Sequence, residues 1–281
     1  MIFLSEKYKR QREETTSYHE SNGIKRKNDP FYSLLFGKVM QINVVTDKTC
    51  PGECLYCTYG STTRKTIERE SFCSAEQIVR EVESRLCQNG PMKCIVLGGP
   101  GEPALHAEIG QIISGIHKIT STPIAVSSCG SLLWRPSVKK DLLKANAVFT
   151  AIDAADKKTF QTVNRFQAQV PYTRFISGIN DFWRSFPGDF YVRVTLMGGV
   201  NAEESHVIKL GFLLKQIAPT AIFVGTRGIT VNGIETPPID SVHLQYLTSH
   251  FGPSARVVNV PEFSSDSRTE QPPQYCEACH G

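Results

Sequence analysis

From about residue 38 the chain alternates short apolar runs with amphipathic helical stripes, and this alternation restricts the possible folds more than any other feature. Strands are expected at Met40 to Val45, Cys94 to Leu97, Pro123 to Ser127, Ala147 to Ile152, Phe190 to Leu196 and Ala221 to Val224. Helical patterns lie between them. Ser74-Ala75-Glu76-Gln77 reads as a capping box, followed by Ile78, Val79, Val82 and Leu86 on one face and closed by Asn89-Gly90. Ile109, Ile112, Ile113 and Ile116 mark a second helix, Ser137 to Lys144 a third, and Asn201 is expected to cap a fourth carrying Val207, Ile208, Leu210 and Leu214. A last helix is expected near residues 240–250. Repeated strand–helix units predict an α/β fold with a parallel sheet and right-handed crossovers. Six units suit a partial (β/α)6 TIM-like barrel better than a closed eightfold one, and ligands in such folds gather at the C-terminal ends of the strands.

The 281 residues suffice for one large domain, and 40% hydrophobic with 21% charged residues is ordinary globular composition. The expected organisation is a polar N-terminal arm over 1–36, a core over 37–252 and a C-terminal extension over 253–281. The arm carries Lys7, Lys9, Arg10, Arg12, Lys25, Arg26 and Lys27, which suit a solvated segment or a contact with nucleic acid or a partner. A net charge of +4 neither demands nor excludes nucleic acid. No run approaches the ~18–20 apolar residues of a membrane span. The start, Met1 to Lys7, turns charged too soon for a secretory signal, so a cytoplasmic protein is expected. Nine cysteines in such a chain point to metal or catalytic use rather than disulfides.

The chemistry concentrates where strands end. The first strand leads into Cys50-Pro51-Gly52-Glu53-Cys54-Leu55-Tyr56-Cys57. Three thiolates on one loop can hold three corners of a four-iron cluster and leave the fourth iron without a protein ligand, unlike a relay fully ligated by cysteine. A zinc loop more often brings a matched second pair. After the second strand comes Gly98-Gly99-Pro100-Gly101-Glu102-Pro103, whose glycines let the backbone approach a ligand closely. Ser127, Ser128 and Cys129 end the third strand and Asp153 the fourth. Such hydroxyls and carboxylates suit a bound carboxylate or ribose, although Ser and Asp also cap helices. Arg193, between Val192 and Val194, either points into the barrel to pair a carboxylate or faces outward.

The CxxxCxxC spacing with an aromatic before its last cysteine, joined to the glycine-rich turn on the next strand, resembles the radical S-adenosylmethionine (SAM) enzymes. Further stretches resemble the wyosine-type branch, which includes tRNA wyosine-base synthases. They are Thr62 to Glu70, Gly101 to His106, Gly130 to Trp134, Asp153 to Asp156, Asn164-Arg165 and Gly199-Val200-Asn201, and the resemblance spans roughly residues 36–250. It implies a [4Fe-4S] cluster on Cys50, Cys54 and Cys57, with SAM chelating the open iron. One electron then cleaves SAM to methionine and a 5′-deoxyadenosyl radical that abstracts hydrogen. By the same resemblance Tyr56 lies against the adenine, the turn with Gly98, Gly99, Gly101 and Glu102 binds the methionine amino group, and Asn164 and Arg165 face SAM or substrate. A reducing partner such as flavodoxin or ferredoxin is implied. Modification of an RNA base is the favoured substrate class. Activation of a glycyl-radical protein is the alternative enzyme, and an electron-transfer or cluster-carrier protein the non-catalytic one, against which the Gly98 to Pro103 turn argues.

Two departures stand out. Wyosine synthases build a second cluster from cysteines upstream of the main loop, and this chain has none before Cys50. Cys129 stands where the resembling proteins commonly carry Asn; it is a hydrogen donor, cluster ligand or sulfur source, or else an inert buried thiol. The tail, Cys276-Glu277-Ala278-Cys279-His280-Gly281, offers ligands for a second Fe–S cluster or zinc, with a reducible dithiol as the plainer alternative. Its CxxCH string also matches haem attachment, which needs export. Gln271-Pro272-Pro273-Gln274 would let it reach back over the barrel mouth.

Overall fold

The computed structural model describes residues 29–231 and 234–258. One sheet holds seven parallel strands in chain order: β1 (Val39–Asn43), β2 (Cys94–Gly98), β3 (Ile124–Ser127), β4 (Ala147–Ala151), β5 (Asp189–Leu196), β6 (Ala221–Thr226) and β7 (Ala255–Val257). Each connection therefore returns beside the strand it left. The helices are α1 (Pro30–Phe36), α2 (Ala75–Asn89), α3 (Ile109–Ile119), α4 (Pro136–Leu142), α5 (Lys157–Val163), α6 (Tyr172–Ser185), α7 (Glu204–Ile217) and α8 (Ser241–Ser249). No helix among the described residues is long and apolar enough to cross a membrane.

Strand alternation assigns the two faces of the sheet. Met40, Ile42, Ile95, Leu97, Ile124, Val126, Val148, Val192 and Val194 belong to the larger core, shared with the helices. Cys94, Val96, Ala125, Ala147 and Phe149 belong to a second apolar cluster on the other face. That face is filled by α1. Phe31 and Tyr32 are buried there, and the Phe31 ring meets Phe149 and Phe223 edge-on at 5.7 and 5.3 Å. Asp29 caps α1 by accepting from the Phe31 N–H at 3.0 Å. Gln41 on β1 clasps the same residue, accepting from the Asp29 N–H and donating to its carbonyl, both at 2.8 Å.

Several expectations change here. Residues 30–36, assigned to a polar arm, form the floor of the barrel, because the aromatic side chains of this helix of about two turns find apolar partners only across the sheet. β7 extends the sheet beyond residue 252, and α5 and α6 are helices that the sequence reading did not place. The capping box at Ser74 and Gln77 forms as expected. Asn201 does not cap α7, whose N-cap is Glu203. Arg193 points inward but is taken by α1: its Nη1 donates to Asp29 Oδ2 at 3.0 Å, and its guanidinium lies 4.3 Å from the Phe31 ring centre. Cys276, Cys279 and His280 lie outside the described residues.

Candidate active site

The cysteine loop is held by a segment more than a hundred residues away. The Glu53 N–H donates to the Asn164 carbonyl at 3.0 Å, Leu55 N–H to the Val163 carbonyl at 2.9 Å, and Gln167 N–H to the Pro51 carbonyl at 2.9 Å. Arg165 adopts a left-handed φ of 48° to make that turn. Gly52 lets the two segments touch, since a Cβ there would stand 2.2 Å from the Phe166 ring. The Lys48 ammonium donates to the Gly60 carbonyl and closes the loop from the other side.

Cys50, Cys54 and Cys57 are half-buried free thiols on this loop. Cys54 Sγ receives the Asn164 Nδ2 donor at 3.7 Å, and burial, then the neighbouring Cys50 and Asp153, push its thiol well above the ordinary range. Among the described residues no group of three or more Cys, His, Asp or Glu closes on a single metal ion. A cubane places each cysteine on a separate iron, so this more open set of three soft thiolates fits a cluster better than one ion.

Asp153, at the end of β4, organises the site. Its Oδ2 accepts from the Tyr56 hydroxyl at 2.7 Å and from Asn164 Nδ2 at 3.4 Å, and its Oδ1 accepts from the Thr195 N–H at 2.8 Å. Asn201 Nδ2 bridges the Asp153 and Thr195 carbonyls at 2.9 and 2.8 Å. Asn164 Oδ1 is buried without a partner. An unmet acceptor of this kind is costly, by about 1–3 kcal/mol, unless a ligand supplies a donor. The Nδ2 of the same amide contacts both Cys54 and Asp153, so the free acceptor belongs to the side chain at the centre of the site, where a SAM amino or hydroxyl group would supply a donor.

Burial pushes the Asp153 carboxyl up to about 6 from its ordinary 3.8, against the lowering effect of its hydrogen bonds. Folding therefore favours its protonated form. The contribution is full below about pH 4, declines as pH rises to about 6 and stays lost above, a change of about 3 kcal/mol. In urea titrations of the metal-free proteins, wild type should lose about 3 kcal/mol relative to Asp153→Asn, which does not titrate here, as pH rises from about 4 to about 6. A difference independent of pH would mean that Asp153 titrates normally.

The glycine turn is equally tight. A Cβ on Gly101 would stand 2.5 Å from the Thr49 carbonyl oxygen and 2.6 Å from Val45 Cγ1, and Gly99 holds φ 133° against Asn43. The Glu102 N–H donates to the Thr49 carbonyl at 2.9 Å. Its carboxylate faces protein: Oε1 accepts from the Ala104 N–H at 2.9 Å and the Ser128 hydroxyl at 2.7 Å, and Oε2 from the Cys129 N–H at 2.6 Å. The Ser127 hydroxyl pairs with the Tyr32 hydroxyl.

The structure thus brings Tyr56, Asp153 and Asn164 together around Cys54. It places Gly101 against the Thr49 carbonyl, and Glu102 links that carbonyl to the Cys129 N–H. Glu102, Ser127, Ser128 and Arg193 instead hold neighbouring protein groups. Asn201 and Lys48 support the site without a local sequence signal, and Asp29 and Tyr32 sit where only the tertiary fold could place them.

Comparison with known proteins follows the same outline. A family model described as the radical SAM superfamily matches residues 44–211. A protein of Brachyspira hyodysenteriae described as GTPase Obg is 24% identical over 245 residues, 87% of this chain but 36% of its own length. A UPF0026 protein of Methanocaldococcus jannaschii is 29% identical over 217 residues, 76% of this chain and 67% of its own length. Among solved structures, TYW1 with a lysine–pyruvate adduct bound shares the fold, with a TM-score of 0.57 at 15% identity, covering 83% of this chain and 80% of that one. The family match runs from the cysteine loop through the glycine turn and Asp153 into α7, the elements that build this site, and the chain belongs to the radical SAM superfamily, which implies a [4Fe-4S] cluster and SAM.

Proposed function

We propose that this chain is a radical SAM enzyme acting on a base within an RNA. The chemistry such a cluster supplies when bound is one electron for the reductive cleavage of SAM. Cys50, Cys54 and Cys57 would hold it. Asn164 donates to Cys54 and keeps one buried acceptor for SAM, and this unmet acceptor carries the SAM reading. Asp153 fixes the Tyr56 ring through its hydroxyl, so the aromatic is oriented before a nucleoside arrives. A reducing donor such as flavodoxin or ferredoxin is part of the proposal, as is a second metal at Cys276, Cys279 and His280.

The observation favouring RNA is where substrate can approach. With α1 filling the concave face, a substrate meets the site at the rim. In the loop after β3, Trp134 lies near two guanidinium groups, Arg135 at 5.2 Å and Arg174 at 4.7 Å from its ring centre. Exposed Lys65 and Arg165 flank the cysteine loop. Stacking surface beside cations suits splayed bases and their phosphates. The wyosine-type sequence resemblance points the same way.

Bulk tRNA should stimulate 5′-deoxyadenosine formation by the reduced, cluster-loaded protein. Binding should weaken with salt, with a log–log slope of about −0.7 to −0.9 per neutralised phosphate. Arg174→Ala should weaken binding at every salt concentration. Stimulation by a glycine-containing partner protein and not by RNA would replace this reading with the activase.

A further inference from the structure

On β5, Tyr191, Arg193 and Thr195 alternate with fully buried apolar residues and so share the concave face that α1 fills. The strand is registered against the end of β4. The Thr195 N–H donates to Asp153 Oδ1 at 2.8 Å, and the Arg193 carbonyl accepts from the Ile152 N–H at 3.0 Å. Arg193 therefore stands one strand repeat, about 7 Å, back from the residue that holds Asp153. Only part of its guanidinium is committed to α1. Nη1 donates to Asp29 Oδ2 at 3.0 Å and reaches the Tyr32 hydroxyl at 3.5 Å, whose own proton goes to Ser127 Oγ. Nε and Nη2 make no hydrogen bond among the described residues, and the side chain keeps 34% of its surface exposed. Those two nitrogens form the side-on fork of a guanidinium, a pair of parallel N–H donors.

We propose that this fork reads a carbonyl oxygen of the reacting RNA base, so that the enzyme accepts carbonyl-bearing bases and rejects adenine. This deepens the RNA-base reading of the site and rests on it. The charge of Arg193 is already matched by Asp29. A phosphate or carboxylate in the fork would leave a net negative charge above the apolar floor of Phe31 and Phe149. A neutral carbonyl oxygen, with two lone pairs, takes both donors without adding charge. Uracil, cytosine and guanine carry such an oxygen. Adenine presents an amino group instead, and this would face the fork donor to donor. Asp29, Tyr32 and the Phe31 ring, 4.3 Å from the guanidinium, hold the fork in place before the base arrives.

The test is binding of labelled single-stranded RNA dodecamers, all uridine or all adenosine, to the cluster-reconstituted full chain with SAM at one salt concentration. Backbone attraction and stacking differ between the oligomers but cancel when variants are compared by the ratio of the adenosine Kd to the uridine Kd. Arg193→Lys keeps a cation beside Asp29 and Phe31 but lacks the fork. It is expected to lower the ratio about tenfold from wild type, within the discrimination of one bidentate base contact. Should that protein prove unstable, Tyr32→Phe removes the hydroxyl beside Nη1 and should lower the ratio by a smaller factor. An unchanged ratio in folded Arg193→Lys overturns the proposal, as it does in Tyr32→Phe where that variant decides. Equal weakening of both oligomers is such a result and would make Arg193 a phosphate contact. Wild type that binds neither oligomer overturns the RNA reading itself, a different result from RNA binding with an unchanged ratio.

Discussion

Replacing Cys54 by alanine should remove about four irons per chain and reduce SAM cleavage to background. Without metal, the Cys54 thiol is held well above its ordinary range by burial and by Cys50 and Asp153. A bound cation reverses that balance, because a coordinating thiol is deprotonated outright. Asn164 reinforces this by donating to the sulfur. Alanine removes the ligand and leaves Asn164 Nδ2 with only its contact to Asp153, at 3.4 Å. Cys50→Ala and Cys57→Ala should behave alike, since two thiolates cannot hold a cubane by three corners. Cys87 lies exposed on α2 and serves as control; Cys87→Ala should keep its iron. Iron and sulfide analysis with 5′-deoxyadenosine quantification reads the outcome. A Cys54→Ala protein with four irons and normal turnover would remove this loop from the chemistry.

The contrast between cysteines and their surroundings shows what a sequence can reveal. Cys50, Cys54 and Cys57 are legible because the ligand pattern lies within eight consecutive residues. β2, β3 and β4 are legible because burial on both faces writes apolar runs of strand length, and β1, β5 and β6 because buried residues alternate along them between helical stripes. α1 is not. Its seven residues are too short for a periodic signal, and its partners, such as Arg193, lie 164 positions away. The same distance hides the true use of Arg193. A charged residue in an apolar strand announces that it needs a counter-charge, but Asp29 becomes its neighbour only once the sheet curls around α1. Asn201 illustrates a further limit. An asparagine before a helical stripe reads as a cap, yet its amide joins the Asp153 and Thr195 carbonyls because the turn after β5 carries it inward. Glu102 shows it most clearly, since its position in the glycine turn is plain and its three partners are not.

Those three partners make Glu102 the site where a single change should cost most stability. Its carboxylate is 2% exposed and serves the Ala104 N–H, the Ser128 hydroxyl and the Cys129 N–H. Glu102→Ala leaves all three donors buried and unpaired, at about 1–3 kcal/mol each. Removing a buried charge gives back part of its desolvation cost. The net loss should therefore be near ~3 kcal/mol rather than the full sum, a fall in melting temperature of roughly 5 °C for a chain of this size. Glu102→Gln separates shape from charge. It keeps one acceptor oxygen but must present an NH2 either to the Cys129 N–H or to the Ala104 N–H, so it should fall between alanine and wild type. The two variants should also loosen the loop after β3 from the cysteine loop, because Glu102 holds both the Cys129 N–H and the Thr49 carbonyl, and weaken SAM retention even in the fraction that stays folded. Denaturant titration with equilibrium dialysis of SAM measures both effects. If Glu102→Gln and Glu102→Ala unfold within about 1 kcal/mol of wild type, the donors have found other partners and Glu102 does not bind the β2 and β3 loops to the cysteine loop.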